Sequence, residues 1–289
     1  MIMKKTFTAF VSLRSIAALA FGAVIFVGCK KDDPPPAPNT VVNVLGNNGY
    51  STLATLATNA GLVPTLNGTG PFTVFAPSNA AFTGVTAPTG AALQNLLNYH
   101  VIAGQGLTAA QVIALSNGNL IRVTMNNGDS VFVRASNAAG VFVNGIQVTS
   151  PNLQGTNGVV HGIGRILMPP AGNIVATAQS VTGGAAGLDS LVKAVVRVST
   201  GATGADNIAE VLSTTNALTV FAPTNQAFAD LFANSAFPFR QINDIPVATL
   251  RVVLRHHVLT ARAFSNDLAN GTLPMFNGSN VTVAGVGTA

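Results

Sequence analysis

Four histidines are the residues of this chain best suited to acid–base or metal chemistry near neutral pH. They are His100, His161, His256 and His257. None has the spacing of a metal-ligand motif, and adjacent side chains such as His256 and His257 point in opposite directions along an extended chain. For His100 and His161 two roles stay open, a buried imidazole bonded to the backbone or a contact with a ligand. The pattern predicts no catalytic residue, no metal site and no cofactor.

Carboxylates and serines also argue against a hydrolase. Glycoside hydrolysis needs two carboxyl groups, and residues 41–170 contain only Asp129. The chain has no Gly-x-Ser-x-Gly elbow and no phosphate-binding loop with its lysine. We therefore expect a protein that is not an enzyme, with a glycan-processing hydrolase as the least favoured alternative.

The pair Tyr99–His100 is the first candidate for contact with a partner. It follows an apolar helical pattern and precedes a short apolar segment. A tyrosine in that position either presents its ring to a partner or packs it in the core, and both roles stay open. The equivalent position in the second half of the chain is His257, which is the third candidate contact.

Residues 1–28 have the pattern of a signal peptide. A basic start precedes an uncharged run of 14 residues, fewer than the roughly 20 that span a bilayer. The only cysteine, Cys29, follows at once, and the step into it resembles the lipobox of bacterial lipoproteins. This predicts acylation of Cys29, with a buried free thiol as the alternative. Residues 29–40 then form a lipidated, Pro-rich tether, and we expect an exported outer-membrane lipoprotein that is exposed at the cell surface.

The charge pattern excludes nucleic-acid binding. The formal net charge is +5, but three basic residues lie in the leader, which leaves +2 for the remainder. Beyond Lys31 the basic residues are scattered singly, whereas a nucleic-acid surface needs them clustered.

An internal repeat divides the rest of the chain. The segment from Thr73 to Phe82 recurs from Thr219 to Phe228, identical at eight of ten positions and 146 residues later. Order and approximate spacing are preserved further on, which predicts two modules, residues 41–170 and 173–289.

The repeated segment has the pattern of a corner between a strand and a helix. Its β-branched and aromatic start predicts a buried strand, its proline ends the strand, and the next two residues offer a helix N-cap. The last phenylalanine lies one turn into that helix and points to the core. The structural residues of the two corners are Thr73, Phe75, Pro77, Asn79 and Phe82, and Thr219, Phe221, Pro223, Asn225 and Phe228.

The pattern changes from helical to alternating within the first module. Leucines and alanines at helical spacing come early, and short strands between 120 and 149, with Asn-Gly turns, come late. A last strand containing Ile163, Ile166 and Leu167 is expected to close the module. Helices gathered before antiparallel hairpins predict an α+β fold.

These features together resemble the fasciclin domain family. The resemblance rests on residues 68–72 leading into the corner, the Tyr99–His100 pair, residues 157–161, which include His161, and the Pro169–Pro170 end. It implies tandem α+β modules, each a β-sandwich or wedge with helices packed at one side. It also implies adhesion to extracellular proteins or polysaccharides, without a cofactor or an established reaction.

The second module departs from this pattern in two ways. His256–His257 replaces the Tyr–His pair, so a role assigned to the tyrosine is not carried over. The module also reaches Ala289 where the first has reached about Ala139, from which we expect a C-terminally truncated module. Besides adhesion, a structural cell-envelope protein that self-associates or packs on cell-wall glycan remains the alternative.

Overall fold

A computed structural model describes residues 38–215 and 217–284. Cys29 and the predicted signal peptide lie outside the described residues, so the predictions made for them stay predictions. None of the helices within those two ranges combines the length and the apolar character that a membrane span requires.

Helices open the first repeat, as the sequence predicts. They are α1 (Val41–Asn47), α2 (Ser51–Asn59), α3 (Val63–Leu66), α4 (Gly90–Asn98) and α5 (Ala109–Ser116). Helix α2 buries Leu53 and Ala57 on one face. The chain turns away at Gly61, where φ is 70°, a value that glycine adopts without strain.

One mixed sheet of seven strands forms the centre of the first repeat. Its strands are β1 (Phe72–Pro77), β2 (Val101–Ala103), β3 (Leu120–Thr124), β4 (Ser130–Ser136), β5 (Gly140–Val143), β6 (Ile146–Gly155) and β7 (Gly158–Ile163). Their spatial order is β2-β1-β7-β6-β5-β4-β3. Strand β1 is flanked on both sides, antiparallel by β2 and parallel by β7.

Strand β1 is buried on both faces, which explains its run of apolar residues. Phe72, Val74 and Ala76 join the core beneath α1, α2 and α4. Phe75 points the other way, into a second core shared with β4 and β5. The curled sheet and its helices make the predicted α+β fold.

The predicted closing strand is wrong in its extent. Strand β7 ends at Ile163, and residues 166 and 167 follow without strand pairing. The physical reason is that the Leu167 N–H donates to the ring of His100 and not to a neighbouring strand.

The second repeat follows a similar order of elements, but an α-helix follows its corner strand and no α-helix in residues 217–284 corresponds to α5. Its elements are α6 (Ile174–Ser180), α7 (Asp189–Ser199), α8 (Ile208–Thr214), β8 (Thr219–Val220), α9 (Asn225–Ala233), α10 (Val247–His256), β9 (Val258–Leu259), β10 (Gly271–Pro274) and β11 (Asn280–Val283). Strands β8 and β9 pair antiparallel, as do β10 and β11. Within the described residues, no strand corresponds to β7.

The two repeats touch through β4 of the first. The Arg262 guanidinium carbon lies 3.8 Å from the centre of the Phe132 ring, and the rings of Phe132 and Phe264 lie 6.5 Å apart. Arg134 Nε and Asp267 Oδ1 lie 2.9 Å apart in an ion pair. A cation–π contact, an aromatic pair and an ion pair therefore join the repeats.

Candidate functional site

The two copies of the corner make the same hydrogen bonds through their threonines. The Thr73 hydroxyl donates to the Gln105 carbonyl at 2.7 Å and accepts from the Leu107 N–H at 2.8 Å. The Thr219 hydroxyl donates to the Ala261 carbonyl at 2.7 Å and accepts from the Ala263 N–H at 2.9 Å. Each threonine thus fastens the segment that follows the neighbouring strand.

The asparagine of each corner caps a helix that lies earlier in the chain, and not the helix or turn that begins at the corner. Asn79 Oδ1 accepts from the Thr52 N–H at 3.0 Å, and its Nδ2 donates to the Ser51 hydroxyl at 3.0 Å, both at the start of α2. In the second repeat Asn225 Oδ1 accepts from the Ser190 N–H at 2.9 Å. Both asparagines therefore tie the corner to the start of an earlier helix, α2 in the first repeat and α7 in the second.

The side-chain amide nitrogens of the two asparagines also make equivalent bonds. That of Asn225 donates to Asp189 Oδ2 at 2.8 Å. This hydrogen bond, with that from the Gly183 N–H, lowers the pKa of the Asp189 carboxyl. Ser51 and Asp189 each lie at the first position of the capped helix. The amide thus binds a side-chain oxygen at the same position in both repeats.

The prediction of an N-cap within the corner holds for one copy only. In the second repeat the Thr224 hydroxyl accepts from the Ala227 N–H at 3.3 Å and begins α9. In the first repeat Ser78 makes no such bond, and residues 79–82 form a 3-10 turn instead of an α-helix. The longer α9 buries Phe228, whereas Phe82 at the end of the turn is only partly buried.

His100 and His257 occupy equivalent places next to the corner. The Nδ1 atom of His100 lies 2.8 Å from the Leu96 carbonyl, and that of His257 lies 2.7 Å from the Val253 carbonyl. Their own carbonyls accept from the Phe75 and Phe221 N–H groups, both at 2.9 Å. The backbone around each histidine is thus the same, although His100 is buried and His257 is partly exposed.

His100 is a structural residue of the core. Burial lowers its pKa from 6.5 to about 4, an effect that the bond to the Leu96 carbonyl only partly offsets. Its Nε2 accepts from the Leu167 N–H at 3.0 Å. A neutral imidazole with Nδ1 protonated therefore joins α4 to the segment after β7.

Tyr99 is also buried, with 2% of its surface exposed. Its hydroxyl donates to the Ser130 carbonyl and accepts from Asn144 Nδ2, both at 3.0 Å. Burial raises the pKa of the phenol. Of the predicted partner contacts, Tyr99 and His100 thus lie in the core, which favours their packing role, and only His257 has exposed surface.

His161 lies on β7 with its ring stacked 5.8 Å from that of Phe75. Its Nε2 lies 2.8 Å from the Leu107 carbonyl, and its Nδ1 accepts from the Asn152 N–H at 3.3 Å. Burial lowers its pKa. His161 therefore joins β7, the parallel neighbour of β1, to the segment around Leu107 that Thr73 also binds.

The adjacent His256 and His257 do not converge on a site. Their ring centres lie 6.5 Å apart, and His256 Nδ1 lies 2.6 Å from the Ser279 hydroxyl. In the part of the chain that the structure describes, no three histidine, cysteine or acidic side chains lie close enough to hold a metal ion.

The comparison with family models decides where the chain belongs. A model of the fasciclin domain matches residues 48–169 and, separately, residues 196–288. The chain belongs to the fasciclin domain family. The two matches follow the two repeats, each with its own copy of the corner.

Known fasciclin relatives include bacterial and animal proteins. The protein sll1483 of Synechocystis sp. is 36% identical over 141 residues, which are 45% of this chain and 74% of the relative. The pig protein ig-h3, induced by transforming growth factor-beta, is 38% identical over 150 residues, 47% of this chain but only 20% of its own length. Its rabbit counterpart is 33% identical over 230 residues, 78% of this chain and 29% of the relative.

A solved pair of FAS1 domains, from the insect cell adhesion molecule fasciclin I, aligns with 82% of this chain and 83% of its own. The identity is 18% and the TM-score is 0.39, too low to carry an inference about this chain.

The two fasciclin repeats differ most at the outer side of the corner strand. Phe75 is 1% exposed and Phe221 is 38% exposed, although they are the same residue of the repeated segment. A groove of about 400 Å3 lies beside β8. Apolar side chains dominate its lining, among them Val175, Leu188, Leu191, Val195, Ile208 and Leu212, with His257 at one side.

Sequence reasoning missed what the polar residues of the corner do. The pattern predicts the threonine as part of a strand and the asparagine as a cap, whereas their bonds reach residues 27 to 44 positions away along the chain. Their presence in both copies was the available signal. A polar residue that occupies the same position in both copies of the corner indicates a side chain with a fixed partner.

Proposed function

We propose that this protein is a surface-anchored adhesion or matrix-binding protein that acts through tandem fasciclin modules, residues 41–170 and 173–289. The observation that carries the proposal is the duplicated corner, whose threonine, asparagine and histidine bonds are repeated nearly atom for atom. Two rigid modules on one chain raise the effective concentration of each binding surface near a common partner. Weak contacts then add up to firm attachment.

The bonds of the histidines in the first module support a structural role for them and not acid–base catalysis. His100 and His161 each use both ring nitrogens in bonds within the core. Burial also lowers the pKa of both imidazoles, which favours the uncharged ring. An acid–base catalyst needs a ring nitrogen free to meet a substrate.

Anchorage to the membrane is proposed through Cys29. An acyl chain on that thiol and the Pro-rich segment up to residue 40 would hold the modules away from the lipid surface. Mass spectrometry of the membrane-bound protein tests this. We expect an acylated N-terminal Cys29 and release of the Cys29→Ala variant from the membrane fraction, whereas an unmodified thiol would refute the anchor.

The binding proposal is tested with an array of extracellular matrix proteins and polysaccharides. The full-length protein is expected to bind at least one of them, and binding should fall severalfold for His257→Ala, the candidate contact with exposed surface. His256→Ala is the matched control, because the neighbouring ring is held by Ser279. Failure to bind any component would refute the proposed function, and equal loss in the two variants would refute the role of His257.

The second candidate is a structural envelope protein that self-associates. The exposed Phe221 lies beside an edge of β8 with which no strand in residues 38–215 and 217–284 pairs, and this favours self-association, because such edges pair with other strands. Sedimentation of the full-length protein separates the two proposals. Concentration-dependent oligomers without binding on the array would favour the structural role.

A further inference from the structure

The fold gathers arginines that lie far apart in the sequence. Arg122 of β3 is directly opposite Phe132 of β4, and the guanidinium carbon of Arg262, from the second module, lies 3.8 Å from the centre of the Phe132 ring. Opposite residues in a sheet have their Cβ atoms about 5 Å apart, so the two arginines flank the same ring. Arg134, two residues further along β4, is a third arginine on this face of the sheet.

Arg262 is held in place by the corner of its own module. The Thr219 hydroxyl donates to the Ala261 carbonyl and accepts from the Ala263 N–H, so the backbone is fixed on both sides of Arg262. The equivalent position of the first repeat is Gly106. The second repeat therefore uses the same backbone loop to present an arginine to the first module.

Two of these three arginines have no carboxylate partner in the described part of the chain. Arg134 pairs with Asp267, whereas neither Arg122 nor Arg262 forms an ion pair there. Arg122 Nε donates to the Ser130 hydroxyl at 2.8 Å. Burial and, after it, the charge of Arg122 lower the pKa of the Arg262 guanidinium. Two like charges thus lie close together with one of them partly desolvated, and an anion between them would stabilise both.

We propose that Arg122 and Arg262 form an anion-binding site at the junction of the two modules, which binds a carboxylate or sulfate group of an acidic polysaccharide. The inference rests on the proposed adhesive function, for which it names the class of ligand. Guanidinium groups suit such anions, because each offers a planar pair of N–H donors to two oxygens. An anion bound by one arginine of each module also stabilises the contact between the modules.

The surroundings of the two arginines favour a polysaccharide over a polypeptide. Strand β4 is paired on both sides, by β3 and β5, so it has no free edge to which a peptide strand could be added. The same face of β3 and β4 carries the hydroxyls of Thr124, Ser130 and Ser136, none of which is buried. Hydroxyl groups both donate to and accept from the hydroxyls of a sugar.

Calorimetric titration with short oligosaccharides tests the class of ligand. The chain of residues 1–289 is expected to bind an oligogalacturonate or a heparin oligosaccharide, and not a neutral malto-oligosaccharide. The affinity should fall as salt is added, because the contact is between charges near the surface. Failure of both acidic oligosaccharides to bind would overturn the inference. Tighter binding of an oligoglutamate peptide of the same charge would overturn it too, because the ligand would then be an acidic polypeptide.

Three arginine variants locate the site. Arg122→Gln and Arg262→Gln should each weaken binding of the acidic oligosaccharide roughly tenfold, because each removes a charged hydrogen bond. Each should also reduce the dependence of the affinity on salt, which a merely structural effect would not do. Arg165→Gln is the matched control, since it removes the same charge from an exposed residue after β7, which β5 and β6 separate from β4. It is expected to bind as the unmodified chain does.

The Arg122 variant keeps the test independent of the contact between modules, because Arg122 bonds within the first module. Circular dichroism and tyrosine fluorescence check that the variants fold. Unchanged binding by folded Arg122→Gln and Arg262→Gln would contradict the site. A chain that binds a neutral or protein component of the matrix array, but neither acidic oligosaccharide, would overturn this inference and leave the proposed function standing. A chain that binds nothing would refute both.

Discussion

The same ten-residue segment lies in two surroundings within this molecule. In the first module its strand is covered on both sides and both faces, and Phe75 is 1% exposed. Among the described residues of the second module only β9 pairs with it, and Phe221 is 38% exposed. The hydrogen bonds of the threonine and the asparagine, and the contact of the nearby histidine's Nδ1 with a backbone carbonyl, are nevertheless alike. The polar contacts of the corner therefore form in both modules, whereas the burial of its strand depends on pairing with strands from other parts of the chain.

The largest difference is expected for the two phenylalanines. Phe75→Ala removes a fully buried ring and its stacking on His161, which should cost ~3–5 kcal/mol of the free energy of unfolding. Phe221→Ala removes a ring that is partly solvated already and should cost roughly 1 kcal/mol.

Urea unfolding can follow the modules separately. The chain has two tyrosines and no tryptophan, and Tyr50 and Tyr99 both lie in the first module, so tyrosine fluorescence reports that module alone. Circular dichroism reports both. Equal losses of stability in the two variants would contradict the difference in burial.

Acid is expected to destabilise the first module through His100. The pKa of about 4 in the folded state lies below the unfolded value of 6.5, so the stabilisation is complete above pH 6.5 and is lost as pH falls toward 4. With about 1.4 kcal/mol for each pKa unit, the loss is roughly 3 kcal/mol. His161, whose pKa burial also lowers, adds to it in the same direction.

The measurement is urea unfolding by tyrosine fluorescence at pH 7.5 and pH 4. His100→Gln should remove much of the pH dependence of the first module's free energy of unfolding, and His257→Gln, in the second module, should leave that dependence unchanged. A module whose stability is the same at both values would show that His100 is not held neutral in the core.

Intermediate effects are expected at the two threonines. Thr73→Val leaves the Gln105 carbonyl and the Leu107 N–H without their partner inside the protein, which should lower the free energy of unfolding by ~2 kcal/mol. Thr219→Val breaks the two equivalent bonds of the second module where water can replace them, which should lower the free energy of unfolding by ~1 kcal/mol. If thermal unfolding of Thr219→Val showed the larger loss, exposure would not set the cost of the broken bonds.

The smallest and most even effects are expected at the two asparagines. Asn79→Ala removes a cap from α2 and Asn225→Ala removes one from α7, and each should cost ~1 kcal/mol of the free energy of unfolding. Both side chains bond near the surface, so the two losses should agree within error. A loss in one module only would show that the caps are not equivalent.

Local patterns were sufficient to predict much of the fold. The helical spacing of Leu93, Leu96 and Leu97 and the Asn-Gly turn at Asn144, where φ is 48°, placed α4 and a hairpin correctly. They reflect interactions within a few residues. The duplicated segment likewise predicted one corner in each half.

Long-range partners could not be predicted in the same way. Tyr99 was a candidate surface contact because helix and strand patterns do not say which side its ring faces, and the structure buries it against Ser130 and Asn144. Leu167 was placed in a strand because its apolar side chain fits one, but its amide binds His100. Sequence spacing alone does not reveal such contacts across 45 or 67 positions.

Amide hydrogen exchange along the two corner strands tests the central claim most directly. The amides of Phe75 and Phe221 both donate to a histidine carbonyl, and we expect both to be protected. Val74 and Ala76 should also be protected, by β7, while Val220 and Ala222 should exchange faster in the chain of residues 1–289. Strong protection of Val220 and Ala222 would contradict the account, because it would mean that the second corner is covered as the first one is.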